Sequence, residues 1–236
     1  MIVGENMLIC GKNTINEYIN NNSEIKEVYI QDNFNDEIIQ VLKQKKYQIK
    51  ILKKYELDKM TKENHQGIIA KVPDFKYAEL KDIMIENSFI VILDHIEDPH
   101  NLGAIIRTCE AAGVNGIIIP KNRSVDVNST VIRTSVGASF LIPIVQVTNI
   151  SNTMDTLKKN NFWIYGSDLD GKDYSKVDYS GNVCLVIGNE GNGMSRLVRE
   201  KCDFIITIPM SGKINSLNAS VATGILVFEI AKRGNI

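Results

Sequence analysis

From Phe89 onward the chain repeats one pattern, a short unbroken apolar run followed by a segment of helical character. The runs are Phe89-Ile90-Val91-Ile92-Leu93, Gly116-Ile117-Ile118-Ile119, Leu141-Ile142-Pro143-Ile144-Val145, Phe162-Trp163-Ile164-Tyr165-Gly166, Val183-Cys184-Leu185-Val186-Ile187-Gly188 and Phe204-Ile205-Ile206-Thr207-Ile208. A strand with one wet face alternates apolar and polar residues, whereas an unbroken run marks a strand covered on both faces. Such strands alternating with helices predict an open, mainly parallel α/β sheet. Ligands of these sheets sit beyond the carboxyl ends of the strands, so the loops that follow the runs are where chemistry is expected.

Residues 8–72 predict a separate, smaller α/β unit. A short helix is expected over 11–19 and strands at 28–30, 47–52 and 67–72. Helices are expected from Asp36, with Ile38, Ile39, Val41 and Leu42 inward, and over 56–60. Pro73 ends the unit, because proline cannot donate to a ladder. The expected organisation is a domain over 1–74, a linker over 75–87 and a larger domain over 88–236.

With 236 residues the chain can bury such cores. No apolar run approaches the roughly 18 residues of a membrane helix, and the first residues lack a basic, then apolar, leader. A cytoplasmic protein is expected. Cys10, Cys109, Cys184 and Cys202 lie far apart with no CxxC pair, which predicts reduced core thiols and neither disulfides nor a metal site. The formal net charge of −1 carries no global nucleic-acid signal. Lysines do crowd residues 43–62, and on charge alone this reads as a solvated surface.

Three loops stand out. After Leu93 comes Asp94-His95-Ile96-Glu97-Asp98-Pro99-His100-Asn101, then a helix carrying Arg107 and Glu110. Asn101 is expected to cap that helix. Arg107, roughly two turns in, would look toward the same cleft. On spacing alone this is equally a cap and a surface Arg–Glu pair. His95 and His100 receive no role. After Ile187 comes Gly188-Asn189-Glu190-Gly191-Asn192-Gly193. Its order is G-x-x-G-x-G, late in the chain, so neither a dinucleotide fingerprint nor a P-loop is read from it. After Ile208 comes a loop with Ser216, Leu217, Asn218 and Ser220, more polar side chains than a helix cap needs. The helix beyond it carries Val221, Gly224, Ile225, Phe228 and Ala231, an apolar stripe for the core or a dimer seam.

Asn101-x-Gly103-x-x-x-Arg107, Leu185-Val186-Ile187-Gly188-x-Glu190-Gly191-x-Gly193, and Ile208-Pro209-Met210 with Ser216-Leu217-Asn218-x-Ser220-Val221-Ala222 resemble, in order and spacing, the three motifs of the SpoU (TrmH-like) RNA ribose 2′-O-methyltransferases. The resemblance runs from about Phe89 to the end of the chain. The N-terminal unit resembles the L30e-like RNA-binding domain of the bacterial branch that methylates a guanosine of 23S rRNA. It has Gly11-Lys12-Asn13 where that branch often has Gly-x-His.

The resemblance implies a SPOUT-like fold with a deep C-terminal trefoil knot, a homodimer, and S-adenosylmethionine held by Gly188, Asn189, Ile208, Met210, Leu217 and Asn218. It implies catalytic roles for Arg107, Asn101, Glu190, Ser216 and Asn218. No metal and no membrane enter. Large-subunit rRNA is the expected substrate; a tRNA enzyme and a catalytically silent RNA-binding or assembly protein are the alternatives. In that light the lysine-rich stretch becomes an RNA contact, with Lys45, Lys46 and Lys53 as its candidates. The resemblance gives Arg107 the role of base. A guanidinium normally stays charged, so physical chemistry favours stabilisation of the forming alkoxide.

Overall fold

The computed structural model describes residues 6–21, 23–189, 191–213 and 216–234. In chain order its first elements are β1 (Asn6–Cys10), α1 (Lys12–Asn20), β2 (Glu27–Gln31), α2 (Ile38–Gln44), β3 (Ile49–Leu52), α3 (Lys54–Met60), β4 (Ile68–Pro73) and α4 (Leu80–Ile83). There follow β5 (Phe89–Asp94), α5 (Pro99–Ala111), β6 (Gly116–Pro120), α6 (Ser129–Thr134), β7 (Ile144–Val147), α7 (Ile150–Lys159), β8 (Phe162–Asp173), β9 (Asn182–Gly188), α8 (Arg196–Glu200), β10 (Phe204–Thr207) and α9 (Ala219–Gly234). The chain divides into two compact units, Met1–Lys76 with Val127–Leu141, and Tyr77–Asp126 with Ile142–Ile236.

The first unit carries a sheet in the order β1-β4-β2-β3. β4 runs antiparallel to both β1 and β2, and β2 and β3 are parallel. Cys10, Leu57 and Ile69 form a small buried cluster at its heart. Residues 127–141, placed by sequence within the larger domain, join this unit, and side-chain chemistry explains why. The Glu63 carboxylate accepts hydrogen bonds from the hydroxyls of Ser129 (2.8 Å) and Thr130 (2.6 Å) and from Arg133 Nε (3.0 Å). Phe140 meets the Tyr18 ring edge-on at 4.7 Å. Burial would raise the Glu63 pKa, but the donors from Thr130, Ser129 and Cys10 and the Arg133 charge outweigh it and hold it below the ordinary value.

The second unit is a six-stranded sheet in the order β10-β8-β9-β5-β6-β7, every pair parallel. All six residues of β5 and all five of β6 are buried, as their unbroken apolar runs require. Ile83, Ile90, Ile118, Met154, Phe162 and Val186 share one core cluster. Ile83 comes from the expected linker, and Ala78 bridges to Val145. Residues 77–87 are therefore part of this unit and do not form a free tether.

Two strand boundaries differ from the sequence reading. Leu141 to Pro143 precede β7, because Pro143 lacks an amide for the ladder. β8 continues seven residues past Gly166, through polar residues that the apolar run did not announce. On α9 the buried residues are Ala219, Thr223, Leu226, Val227 and Ile230. The stripe read from sequence lies elsewhere on the helix: Val221 and Phe228 are 50% and 52% exposed. α9 packs on α5, with Gly224 beside Thr108. Cys10, Cys109, Cys184 and Cys202 are free thiols, and burial pushes Cys10 and Cys202 up to about 12.

Candidate functional site

The middle of β8 and the carboxyl ends of β9 and β10 line a cavity of about 400 Å³, within the range of small-ligand sites. β8 contributes Ser167, Asp168 and Leu169. The end of β9 and its glycine loop contribute Ile187, Gly188, Asn189, Gly191, Asn192 and Gly193. Thr207, Ile208 and Met210 follow from β10, then Ser216, Leu217, Ala219 and Ala222 on the way into α9.

The glycine loop folds back on itself. Asn189 N donates to the Gly193 carbonyl at 3.0 Å, and Gly193 N returns the bond to Asn189 O at 2.9 Å. The two backbones come so close that a Cβ on Gly188 would lie 2.3 Å from Gly193 C and Met194 N. Gly193 itself has φ +65°, a region that favours glycine. Asn189 then braces the loop twice: Oδ1 accepts from Gly191 N at 2.8 Å and Nδ2 donates to the His95 carbonyl at 2.7 Å. Buried Asp94, at the end of β5, accepts from Ser195 N at 2.6 Å. Its other oxygen pairs with His95 Nδ1 at 2.6 Å. The neighbouring strand thus fixes both ends of the loop.

Asn101 is not the helix cap expected of it. Asp98 caps α5, accepting from His100 N at 2.7 Å, and Pro99 takes the first helical position, where no amide is needed. Asn101 lies in the first turn, and its Oδ1 accepts from Asn218 Nδ2 at 3.0 Å. Asn218 in turn caps α9, its Oδ1 accepting from Ser220 N at 2.9 Å. One side chain therefore closes the C-terminal loop and ties it to α5. Arg107 is exposed, two turns along α5. Among the described residues no hydrogen bond or ion pair holds it, and none joins it to Glu110.

Of the sequence-predicted residues, Gly188, Asn189, Ile208, Met210, Leu217 and Ser216 line the cavity. Asn101, Arg107 and Asn218 are not among its lining residues, although two of the three meet each other. Glu190 lies outside the described residues. In the first unit, Lys45, Lys46 and Lys53 are all exposed. Lys45 Nζ donates to the Ile19 carbonyl at 3.0 Å, and Lys53 N donates to Glu56 Oε2 at 2.8 Å. Part of the lysine crowd is already neutralised, since Lys50 pairs with Glu27.

Sequence reasoning missed the β8 wall. Its signal was the polar and small run Ser167-Asp168-Leu169-Asp170-Gly171 directly after an apolar strand, the place where such sheets bind ligands. Arg199 of α8 grips this segment, with Nε 2.8 Å from Asp168 Oδ2 and Nη2 2.7 Å from Asp170 Oδ1. The hydrogen bond from Arg199 holds the Asp170 carboxyl below its ordinary value, and the two carboxylates raise the guanidinium. Thr207 Oγ1 donates to the Leu169 carbonyl at 3.2 Å, closing β10 onto the same wall.

Backbone amides, hydroxyls and apolar side chains with one carboxylate suit an organic ligand with polar edges. Among the described residues no group of three or more His, Cys, Asp or Glu could hold a metal ion, and no helix is long and apolar enough to cross a membrane.

Residues 88–228 match the SpoU rRNA Methylase family, and residues 8–78 match the RNA 2′-O ribose methyltransferase substrate binding family. The chain is 40% identical over 238 residues to YacO of Bacillus subtilis (strain 168), named for the TrmH family of tRNA/rRNA methyltransferases, covering 96% of each. Among solved structures it is similar to the SpoU methyltransferase AviRb of Streptomyces viridochromogenes in complex with the cofactor AdoMet. That match has a TM-score of 0.83 and 25% identity, over 96% of this chain and 90% of that one. It is also similar to an AdoMet-bound rRNA methyltransferase from Sinorhizobium meliloti, with a TM-score of 0.83 and 28% identity, over 96% and 87%. The A. aeolicus TrmH/SpoU tRNA modifying enzyme corresponds to 65% of this chain and 80% of its own, with a TM-score of 0.56 and 32% identity.

Proposed function

The chain belongs to the SpoU rRNA methylase family, and from that premise we propose that it methylates a ribose 2′-hydroxyl of RNA with S-adenosylmethionine as donor, the target being a guanosine of large-subunit rRNA. One observation carries the reading. The two loops predicted to hold the donor form a single cavity with β8, and the Asn101–Asn218 bond fastens the α5 motif to one of them. The full-length likeness to an rRNA methyltransferase, against a partial one to a tRNA modifying enzyme, supports rRNA over tRNA.

The cavity fits the donor. It is large enough, its glycine loop admits close backbone approach, and its charged wall is anionic. Gly188, Asn189, Ile208, Met210 and Leu217 would hold the donor, with Asn218 shaping the loop behind them. The bound donor supplies a methyl group already attached to a good leaving group. The chain must then align the hydroxyl and stabilise its loss of a proton. Arg107, exposed and free of a described partner, keeps its charge and meets the developing alkoxide. Asn101, fixed by Asn218, orients the ribose; Ser216 shapes the site. Glu190 completes the set by resemblance to the family. Lys45, Lys46 and Lys53 of the first unit contact RNA phosphates.

The reading includes the family's homodimer and knot. Val221 and Phe228 form an uncovered apolar stripe on α9, suited to a second copy. β10 lies outside β8 in a sheet that also holds β9, and α9 then returns to α5; this path supports a threaded crossing.

The test is transfer of labelled methyl from S-adenosylmethionine to purified 23S rRNA and to tRNA, with the site mapped as 2′-O-methyl. Wild type is expected to label rRNA. Arg107→Ala is expected to lose transfer and keep donor binding by calorimetry. Absence of RNA labelling, or near-normal turnover by Arg107→Ala, overturns the assignment.

A further inference from the structure

Asp168 is the only charged side chain among the described residues that line the cavity. Its carboxylate is fixed at two points. Oδ1 accepts from Leu169 N at 2.7 Å, and Oδ2 accepts from Arg199 Nε at 2.8 Å. The other arm of the guanidinium is occupied by Asp170, with Nη2 at 2.7 Å and 2.9 Å from its two oxygens. Two carboxylates therefore share one cation, which leaves one net negative charge among these three groups. Asp168 sits at the cavity with its side chain 26% exposed, whereas Asp170 is 71% exposed. The Asp168 charge is the less screened of the two.

The chemistry of methyl transfer gives this charge something to read. S-adenosylmethionine carries a sulfonium and an ammonium against one carboxylate, a net positive charge. Transfer breaks the bond between methyl carbon and sulfur, and the electron pair stays on sulfur. S-adenosylhomocysteine is then a thioether of zero net charge, almost unchanged in shape. Shape separates donor from product by a single methyl group, worth roughly 10- to 200-fold in a fitted pocket. A fixed carboxylate in a partly desolvated wall adds discrimination that reads the charge alone.

We propose that Asp168, positioned by Arg199, is a specificity-determining residue that favours the cationic methyl donor over its neutral thioether product. This rests on the cavity being the S-adenosylmethionine site. It eases product exchange after each transfer, because the attraction to the wall falls when the sulfonium is consumed.

Asp168→Asn keeps the shape and an oxygen for Arg199 while removing the charge. By calorimetry it is expected to weaken S-adenosylmethionine binding about tenfold and S-adenosylhomocysteine binding less than twofold; stability lost with the weakened Arg199 bond falls on both ligands alike and leaves their ratio unmoved. Asp170→Asn, outside the cavity on the same guanidinium, is expected to move the ratio less than twofold. Asp168→Ser gives the same split and serves if the amide variant is unstable. Equal weakening of both ligands would make Asp168 a wall residue only and overturn the proposal. So would an unchanged ratio, or an equal shift in Asp170→Asn. If wild type binds neither ligand, the cofactor reading itself fails, a result that no variant is needed to see.

Discussion

Gly188→Ala tests how the glycine loop is built. The added Cβ would lie 2.3 Å from Gly193 C and from Met194 N, both backbone atoms that cannot swing aside. An ordinary contact needs more than 1 Å of further separation. Opening the loop by that much breaks the paired bonds between Asn189 and Gly193, at 3.0 and 2.9 Å. Two hydrogen bonds at about 1 kcal/mol each set a floor of about 2 kcal/mol. Residual overpacking adds ~1–3 kcal/mol. If the loop must close for the donor to bind, the floor alone corresponds to about 30-fold weaker binding. Gly191→Ala is the control: its Cβ would meet only Asn189 Oδ1, at an ordinary 3.5 Å. Calorimetry with S-adenosylmethionine is expected to show at least a 30-fold loss for Gly188→Ala and less than threefold for Gly191→Ala. A loss under fivefold for Gly188→Ala, or equal losses in both variants, would refute the close-approach argument.

Phe228→Asp with Val221→Asp should leave the melting temperature nearly unchanged, because both side chains are exposed in the single chain. If the proposed homodimer forms through this stripe, light scattering should report two chains for wild type and one chain of 26.4 kDa for the variant; a variant that stays dimeric would place the seam elsewhere. Reversal of Lys45, Lys46 and Lys53 to Glu should weaken RNA binding in low salt and flatten its salt dependence by about 0.7 in log–log slope per lost phosphate contact. Lys45 contributes least, since its ammonium already serves the Ile19 carbonyl. Unchanged affinity in low salt would reject the patch. Glu63→Gln should cost the first unit about 2 kcal/mol, as charge-assisted bonds to Arg133 and two hydroxyls weaken. The Glu63 pKa is depressed on folding, so its stabilisation is present above the unfolded value near ~4.3 and is lost as pH falls below it. Acid melting curves of wild type should therefore fall more steeply than those of the variant; parallel curves would dismiss Glu63 as the cause.

Sequence carried the second unit's sheet because burial on both faces demands unbroken apolar runs, and β5, β6 and β9 show them. The loops proposed to hold the donor were legible for the same local reason: Gly188 leaves no room for a Cβ and Gly193 takes a φ of +65° that favours glycine, beside residues matching a family motif. Three features were not legible. Asn101 has the right chemistry for a cap, but Asp98 and Pro99 start the helix earlier and release it to meet Asn218. The face of α9 that is buried depends on where α5 lies, so the apolar spacing of Val221 and Phe228 could not tell core from surface. Residues 127–141 look like one more α/β connection until Glu63, more than sixty positions upstream, collects their donors.

By itself, then, the sequence determined the parallel sheet and the loops that line the cavity, since these follow from periodicity and from the steric demands of single residues. Only the tertiary structure decided which polar residues meet. Asp168 with Arg199, Asn101 with Asn218, and Glu63 with Ser129, Thr130 and Arg133 lie 31 to 117 positions apart. Contacts of that separation are created by strand order and loop crossing, and no local pattern encodes them.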